Sequence, residues 1–285
     1  MIDVHTHPVL VEETMKRDKQ MLRVTKEVFG LHNRPQPLET FLLQMDVAGV
    51  DKSVLLPIDC TTSRGCRIYS NQQIAELVDR AKDRFIGFAS VDPHSKAAPD
   101  DLERAVKDLG LAGLKLAPGI QEFRPDDEKV FPIYSRASEL GVPVLVHCGL
   151  SWEPGSKLDP CRPLLLENVV ARLPKLKICI GHFGWPWVMD TVALMFKYPT
   201  IYADTSCLCA DTPMEFIHHT FSSQIPTTWI ERSLRNQVMF GSNYPRIETV
   251  KMVEAVRSLG LTEGALDLIF QKNAEKFIGT KEVAR

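Results

Sequence analysis

The segment Pro143-Val144-Leu145-Val146-His147 is a short, continuous apolar run that ends in a histidine. A second run, Val54-Leu55-Leu56, has the same character. Apolar residues without polar alternation are typical of strands that are covered on both faces, as in a parallel sheet packed between helices. These runs therefore favour a fold in which strands and helices alternate.

Eight runs of this kind recur along the 285 residues, each followed by a loop and a stretch with helical spacing of apolar positions. Parallel strands cannot be joined by a tight turn, so the alternation predicts strand-helix units. Eight units in about 250 residues suit a closed (β/α)8 TIM barrel of the α/β class. The predicted strands are Ile2–His5, Ser53–Pro57, Ile86–Val91, Gly113–Leu116, Pro143–His147, Lys177–Gly181, Ile201–Asp204 and Val238–Ser242. The predicted helices are Glu39–Ala48, Asn71–Lys82, Ala98–Leu109, Glu128–Leu140, Leu164–Arg172, Pro186–Phe196, a stretch within Pro213–Arg235, and Thr249–Leu259.

The domain organisation follows from the same pattern. An open doubly wound sheet is the alternative fold, but Thr6-His7-Pro8 stands where that fold would carry a Gly-x-Gly-x-x-Gly turn. Residues 1–285 show no linker and no repeat beyond the unit itself, so we expect a single domain. Two long segments, Val9–Pro37 and Leu150–Arg162, are predicted to lie as insertions over the active face, and a further helix, Thr262–Ile278, follows the eighth unit.

Composition and charge narrow the class of protein. A formal net charge of -2 and a pI near 6.5 give no basic field for phosphate backbones, so nucleic acid is not expected as a partner. No apolar stretch approaches the roughly 20 residues that cross a bilayer, and the start Met1–His5 lacks the features of a secretory leader. The seven cysteines follow no pairing pattern. We therefore expect a soluble protein of the reducing cytoplasm, without membrane contact.

Histidines at strand ends are the main candidates for chemistry. In a strand, residues i and i+2 point to the same side, so His5 and His7 can present two imidazoles to one point. His147 and His182 lie at the ends of two further predicted strands. Enzymes with this barrel place catalytic groups at the carboxyl ends of their strands, and neutral imidazole suits zinc and similar divalent ions. The pattern predicts a metal site. An exposed pair in a turn and hydrogen-bonded core histidines are the alternatives.

Motifs spread over nearly the whole chain point to one family. They are Asp3-Val4-His5-Thr6-His7, Gly113-Leu114-Lys115-Leu116, Val146-His147-Cys148-Gly149, Gly181-His182-Phe183-Gly184 with Pro186-Trp187 after it, and Phe240-Gly241-Ser242-Asn243-Tyr244-Pro245. With these motifs the chain resembles the amidohydrolase superfamily, in the branch of amidohydrolase-related hydrolases, lactonases and metal-dependent decarboxylases. The resemblance implies that His5, His7 and His147 are metal ligands. It also implies that His182 is a ligand or contacts the substrate.

One position departs from the family pattern, which has aspartate where this chain has Asn243. In family hydrolases that aspartate touches the metal and takes a proton from the attacking water, whereas an amide accepts no proton. Either another group acts as base, or the metal is held more weakly, or activity is lost, or the residue was substituted to trap a complex. The candidate bases are His182, Asp204, Asp92 and Asp59. Each carboxylate has a role in a loop or a cap as its alternative.

Lys115 ends the fourth predicted strand in an apolar setting, where an unpaired ammonium would be costly to bury. We therefore expect it to meet a partner, unless its side chain snorkels without a catalytic part. The resemblance implies either a carboxylated lysine that bridges two metals or, with one metal, a lysine that pairs with an acidic group or the substrate. Because Asn243 removes a negative charge, we favour one divalent metal ion, with zinc expected and manganese as the alternative.

Cationic and aromatic side chains near the predicted site are candidates for substrate binding. Arg162, Arg246 and Arg64 can clamp a carboxylate through paired hydrogen bonds. Arg246 is favoured because it follows the last motif directly. Trp152 can form an aromatic wall of the pocket.

Three functions remain open from the sequence. The leading hypothesis is hydrolysis of a small carboxylated lactone, amide or ester by a metal-activated water. The runner-up is non-oxidative decarboxylation of an aromatic or unsaturated acid, and the third is a barrel that binds a ligand without turning it over. A small-molecule substrate is the expected partner, and a homo-oligomer is compatible with the sequence. The predicted catalytic residues are His182, Asn243, Lys115 and Asp204.

Overall fold

Eight parallel strands form the wall of a barrel in the computed structural model of the chain. The structure describes residues 1–206, 208 and 211–279. An antiparallel hairpin, formed by β3 (Ile58–Cys60) and β4 (Cys66–Ile68), stands apart from this wall. The wall strands are β1 (Ile2–Thr6), β2 (Lys52–Leu55), β5 (Phe85–Gly87), β6 (Leu114–Leu116), β7 (Val144–Val146), β8 (Ile178–Ile180), β9 (Ile201–Asp204) and β10 (Val238–Met239).

Backbone hydrogen bonds close the wall into a ring. The strands form two sheets, ordered β1-β2-β5 and β10-β9-β8-β7-β6. Between β5 and β6, Ala89 N donates to Gly113 O at 2.7 Å, and Lys115 N donates to Ala89 O at 2.7 Å. Between β1 and β10, Val4 N donates to Phe240 O at 2.9 Å. The predicted (β/α)8 barrel is therefore confirmed, and the parallel strands direct their carboxyl ends to one face.

Helices connect the strands and cover the outside of the barrel. One of them, Asn71–Arg80, begins at a capping box, because the side chain of Ser70 accepts from Gln73 N while the side chain of Gln73 accepts from Ser70 N. The described α-helices are Glu12–Arg17, Lys19–Glu27, Leu38–Ala48, Thr61–Arg64, Asn71–Arg80, Ala98–Lys107, Pro118–Gln121, Phe131–Leu140, Glu167–Arg172, Val188–Lys197, Pro213–His218, Thr227–Glu231, Thr249–Arg257, Glu263–Asp267 and Asn273–Ile278. Short 3-10 turns lie at Asp159–Cys161, Pro163–Leu166 and Gly181–Gly184.

The helical stretch predicted within Pro213–Arg235 is divided in the structure. The α-helix Pro213–His218 continues as a π-helical turn, His219–Gln224, and a separate helix covers Thr227–Glu231. Pro226 is the N-cap of that second helix, and it explains the break because proline has no N–H to continue the hydrogen-bond ladder. A similar π-helical turn, Leu268–Lys272, divides the last predicted helix.

The insertion Val9–Pro37 contains two helices that apolar spacing did not reveal. They cover Glu12–Arg17 and Lys19–Glu27, with lengths of 6 and 9 residues, which is too short for a clear helical period. The hairpin β3–β4 was also not predicted, since its strands have 3 residues each. Among all the helices of the described residues, none is both long enough and apolar enough to cross a membrane.

The last helix covers one end of the barrel. Phe277 packs on Tyr202 of β9 with ring centroids 5.1 Å apart. Ile2 and Val4 of β1 belong to the same buried cluster. Because Ile2 begins β1, this cluster lies toward the amino ends of the strands, and the carboxyl ends remain for the site.

Candidate active site and metal centre

Four histidines that are remote in sequence meet at the carboxyl ends of the strands. His5 and His7 lie at the end of β1, His147 follows β7, and His182 follows β8. The ring centroids are 5.3 Å apart for His5 and His7, 4.5 Å for His5 and His182, and 4.7 Å for His147 and His182. All four side chains are buried. The structure thus brings the four imidazoles of the sequence prediction into one cluster.

The rings of His5 and His7 each donate one hydrogen bond away from the cluster centre. His5 Nδ1 lies 2.8 Å from Asp204 Oδ2, and His7 Nδ1 lies 3.0 Å from the carbonyl oxygen of Leu56. A carboxylate and a carbonyl oxygen only accept, so we assign the ring proton to Nδ1 in both residues. The Nε2 atoms of His5 and His7 therefore keep their lone pairs.

The rings of His147 and His182 are fixed in the same manner. His147 Nε2 lies 3.2 Å from the carbonyl oxygen of Leu150. His182 Nδ1 lies 2.7 Å from the hydroxyl oxygen of Ser206, which itself donates to Asp204 Oδ1, and 3.2 Å from the carbonyl oxygen of Ser206. The remaining nitrogens, His147 Nδ1 and His182 Nε2, face each other at 3.1 Å. Two lone pairs at this distance repel unless a cation lies against both. The pair of nitrogens is thus arranged for a proton or a metal ion.

Burial keeps these imidazoles neutral. It lowers the pKa of His5, His7 and His182 well below the usual range and that of His147 to about 4. Neutral imidazole is the form that binds metals. A buried set of neutral nitrogens with inward lone pairs therefore fits a divalent ion, and the residues that would hold it are His5, His7 and His147, with His182 beside them.

Asp204 supports this cluster from behind His5. Its side chain is fully buried. Oδ2 accepts from His5 Nδ1, while Oδ1 accepts from the backbone N–H groups of His182 at 2.9 Å and Ser206 at 3.1 Å. His5, His182 and Asp204 also offer ligand atoms within 4.8 Å of one another. Because both carboxylate oxygens already accept hydrogen bonds, the atoms that would hold a divalent ion are the imidazole nitrogens of the cluster, and Asp204 would orient His5 from behind.

Replacing Asp204 with asparagine is expected to weaken metal binding about 10- to 100-fold, as loss of a partner behind a ligating histidine usually does. The asparagine amide lacks the charge that orients His5. It also has only one oxygen atom, whereas the carboxylate uses two oxygen atoms to accept from His5 and from the backbone of His182. Titration calorimetry with zinc measures the change. Asp79→Asn, at an exposed helix position, is the matched control and should bind zinc as the parent does. Equal affinity of both variants would contradict the supporting role.

Unusual backbone conformations shape the loops that carry the site. His182, Phe183 and Asn243 have φ values of 57°, 50° and 67°, in the left-handed region that non-glycine residues seldom adopt. Each costs roughly 1 to 3 kcal/mol, which the surrounding packing must offset. Gly149 has φ +92°, and a Cβ there would lie 2.2 Å from the carbonyl oxygen of Trp185. The motifs around these residues therefore fix the turns that aim His147 and His182.

Asn243 and Lys115 both reach the cluster. Asn243 is 3% exposed, lines the pocket, and donates its backbone N–H to His5 O at 2.9 Å. Lys115 is 1% exposed, and its Nζ lies 3.5 Å from His5 Nε2. Burial lowers the pKa of Lys115 to about 8, while the charge of Asp204 acts in the opposite direction. The lysine thus faces the same lone pair of His5 that a metal would use.

The pocket beside the cluster is lined by residues of both insertions. Arg246 stacks over Phe29 at 4.4 Å, and its Nη2 lies 3.3 Å from Glu153 Oε1. Trp152 donates from Nε1 to Leu208 O at 2.6 Å. Arg246 and Trp152 were predicted, whereas Phe29 and Glu153 were not. Their only signal in the sequence was their position in segments predicted to lie over the active face.

Several predicted residues lie away from this pocket. The Arg162 guanidinium stacks over Trp187 at 4.9 Å. Arg64 pairs with Glu122, Asp59 with Arg67, and Asp92 accepts from Thr62 N, at 3.3, 2.8 and 3.0 Å respectively. The structure therefore does not bring these four predicted residues to the imidazole cluster.

A (β/α)8 barrel that gathers buried imidazoles from separate strands at its carboxyl face defines a class of metal-dependent enzymes. Comparison with known proteins agrees with this class. The chain belongs to the Amidohydrolase family, whose profile it matches over residues 2–280. It is therefore an enzyme of the amidohydrolase superfamily, as the motifs predicted.

Individual relatives are distant. The chain is 29% identical over 132 residues to 2-amino-3-carboxymuconate-6-semialdehyde decarboxylase of Dictyostelium discoideum, a match that covers 41% of this chain and only 37% of that protein. An uncharacterized TIM-barrel protein from Bordetella bronchiseptica superposes with a TM-score of 0.76 at 21% identity, covering 98% of each chain. A dihydroxybenzoic acid decarboxylase from Polaromonas sp. JS666, with bound manganese and the inhibitor 2-nitroresorcinol, has a TM-score of 0.67 at 17% identity and covers 98% of this chain and 96% of that one. The curated relatives include decarboxylases and a hydratase, so family membership alone leaves the reaction open.

Proposed function

We propose that the chain is a metal-dependent, non-oxidative decarboxylase of a small aromatic or unsaturated carboxylic acid. Asn243 is the observation that carries this proposal. Hydrolysis by a metal-bound water needs a group that takes a proton from the water, and an amide cannot do so. Decarboxylation needs no such acceptor, because the carboxylate leaves as carbon dioxide and the carbon takes up a proton. The decarboxylases among the relatives support the same choice over the hydrolase that the motifs alone favoured.

Zinc is the ion that we propose for this chain. His5, His7 and His147 offer neutral nitrogen atoms, and imidazole suits zinc, whereas manganese favours carboxylate and water ligands. Asn243 strengthens this argument, since it removes a carboxylate from the pocket. Manganese is the alternative because the Polaromonas decarboxylase contains it. When bound, the ion would supply a positive charge that orients the substrate and stabilises the electron pair left after carbon dioxide departs.

Arg246 is placed to bind a carboxylate of the substrate. Its guanidinium is mostly buried, lies against Phe29, and pairs with the buried carboxylate of Glu153. A planar guanidinium binds a carboxylate through two parallel hydrogen bonds. Ile58, Ile120 and Trp152 also line this pocket and suit a flat, unsaturated substrate.

His182 is the residue that we propose to deliver the proton. Its Nδ1–H is held by the hydroxyl and carbonyl oxygens of Ser206, and this leaves Nε2 directed toward the pocket. The bond between the substrate carbon and its carboxylate breaks, and the electron pair stays on the carbon. His182 Nε2, which carries a lone pair in the neutral ring, accepts the proton of the substrate's carboxylic acid and passes it to that carbon, so one carboxylic acid yields one carbon dioxide and one product shorter by that group.

Replacing Arg246 with lysine is expected to raise KM about 10- to 100-fold, with a smaller change in kcat. This increase corresponds to the free energy of one lost hydrogen bond to a charged group. Lysine keeps the charge but loses the planar fork that holds a carboxylate. Steady-state kinetics on the identified acid separate the two constants. Arg162→Lys is the matched control, because that arginine lies on Trp187 away from the pocket. A KM equal to that of the parent would show that Arg246 does not hold the substrate.

The reaction is tested by incubating the zinc-loaded protein with two sets of compounds. The first contains hydroxylated aromatic acids and carboxylated unsaturated acids, such as 2,6-dihydroxybenzoate and 5-carboxyvanillate. The second contains lactones and esters, such as 2-pyrone-4,6-dicarboxylate. We expect release of carbon dioxide from a member of the first set, matched one to one by the decarboxylated product. Hydrolysis of the second set without carbon dioxide would overturn the proposal in favour of the hydrolase.

A further inference from the structure

The hairpin β3–β4 brings two cysteines together outside the active-site pocket. Cys60 ends β3, Cys66 begins β4, and the two are direct partners in the antiparallel register. Their Sγ atoms lie 3.6 Å apart as free thiols. Antiparallel partners have Cα atoms about 4.5 to 5.5 Å apart, which falls within the roughly 4.4 to 6.8 Å that a disulfide spans. The backbone of the hairpin is therefore already suited to a disulfide.

Cys66 is the accessible member of this pair. Cys60 is 1% exposed, whereas Cys66 is half-buried. A surface groove of about 430 Å³ borders Cys66 and is also lined by Thr61, Arg67 and Gln73. This groove is large enough to admit a small-molecule disulfide, which can then reach Cys66 before Cys60.

The surroundings of the two thiols favour the same order of reaction. The pKa of Cys66 is lowered, first by its hydrogen bond with Cys60 and then by the charges of Arg23 and Arg64, against the effects of burial and Asp59. The pKa of Cys60 is raised by the hydrogen bond with Cys66 and by burial. The thiolate is the attacking form of cysteine, so Cys66 is the better nucleophile.

We propose that Cys60 and Cys66 form a redox-modification site, which a small-molecule disulfide of the glutathione type converts into an intramolecular disulfide. Cys66 Sγ attacks one sulfur of the small disulfide, breaks its S–S bond and releases one small thiol. The thiol of Cys60 then loses its proton, attacks Cys66 Sγ and releases the second small thiol. Two protein thiols are oxidised and one small disulfide is reduced to two thiols, so atoms and electrons balance.

The disulfide would fix a loop that contacts the wall of the pocket. Between the two cysteines lies the helical turn Thr61–Arg64. Ser63 Oγ donates to Ile120 O at 2.8 Å, and Ile120 lines the active-site pocket. A cross-link restricts the unfolded chain, so the oxidised protein should have a higher thermal midpoint than the reduced protein.

The zinc-loaded protein is incubated with glutathione disulfide, its free thiols are alkylated under denaturing conditions, and it is digested with trypsin. Cleavage after Arg64 separates Ser53–Arg64, which contains Cys60, from Gly65–Arg67, which contains Cys66. We expect the two peptides to be joined and to separate on reduction. The buried Cys148, Cys161 and Cys179 should be alkylated and serve as internal controls. Recovery of Cys60 and Cys66 in separate alkylated peptides would overturn the proposal.

Two variants test the order of attack. Cys60→Ser should accumulate a mixed disulfide of glutathione on Cys66, because no second thiol is available to resolve it. Cys66→Ser should leave Cys60 unmodified in the folded protein. Equal or faster modification of Cys60 in the second variant would overturn the assignment of Cys66 as the attacking thiol.

Discussion

Loss of tight metal binding is the expected result of replacing His7 with alanine. His7 presents Nε2 to the cluster because its Nδ1–H is held by the carbonyl oxygen of Leu56. Alanine removes a ligand atom. The decrease in zinc affinity should therefore exceed the roughly 10- to 100-fold decrease that follows loss of a residue hydrogen-bonded to a ligating histidine. Decarboxylation should fall to background at zinc concentrations that saturate the parent. Zinc content after dialysis and titration calorimetry measure the affinity directly.

An exposed histidine provides the control for this variant. His32 lies on the surface of the first insertion, and His32→Ala should retain both zinc and activity. Circular dichroism on all three proteins separates loss of the ligand from loss of the fold. A folded His7→Ala protein that keeps one tightly bound zinc would contradict the assignment of His7 as a ligand.

Tighter metal binding without new hydrolytic activity is the expected result of replacing Asn243 with aspartate. The left-handed backbone at this position, with φ 67°, is tolerated by aspartate as it is by asparagine. A carboxylate would add a negative charge near the cation, where one unit-charge pair at about 4 Å is worth roughly 4 kcal/mol at an effective dielectric of 20. Desolvation offsets part of this gain, so we expect zinc affinity to rise on the order of 100-fold. Zinc competition with a chelator measures the change.

The same variant separates the two candidate reactions. If the amide belongs to a decarboxylase, lactone and ester hydrolysis should stay at background in Asn243→Asp. Asn33→Asp, in an exposed loop, adds the same charge elsewhere and should change neither affinity nor reaction. A large gain in lactone or ester hydrolysis by Asn243→Asp would identify the amide as a disabling change in a hydrolase.

The barrel could be predicted because its strands carry their own signal. Val144–Val146 and Ile178–Ile180 are apolar on both faces. His147 directly follows the first of these strands, and His182 follows the second after Gly181. The alternation with helices then fixes the closed parallel sheet, and the sheet places His147 and His182 at one end. The positions of the imidazoles thus followed from local patterns and the topology of one fold.

Contacts made by the loops around the barrel could not be predicted in the same way. Glu153 lies in a loop without periodicity, and its pairing with Arg246 joins residues that are 93 positions apart. The hairpin that pairs Cys60 with Cys66 has strands of 3 residues, below the length at which alternation is visible. The contacts of Ser206 with His182 Nδ1, which set the ring proton, depend on how the turn after β9 brings Ser206 to that ring. These features depend on tertiary packing.

The arrangement of the ring nitrogens around one cation is tested most directly by anomalous diffraction from crystals of the zinc-loaded protein. We expect a single anomalous peak bounded by His5 Nε2, His7 Nε2 and His147 Nδ1, with His182 Nε2 beside it. The peak should disappear in crystals of His7→Ala grown with the same zinc. Absence of a peak in the parent protein, or a peak between His5 Nδ1 and Asp204, would contradict the inward orientation of the lone pairs.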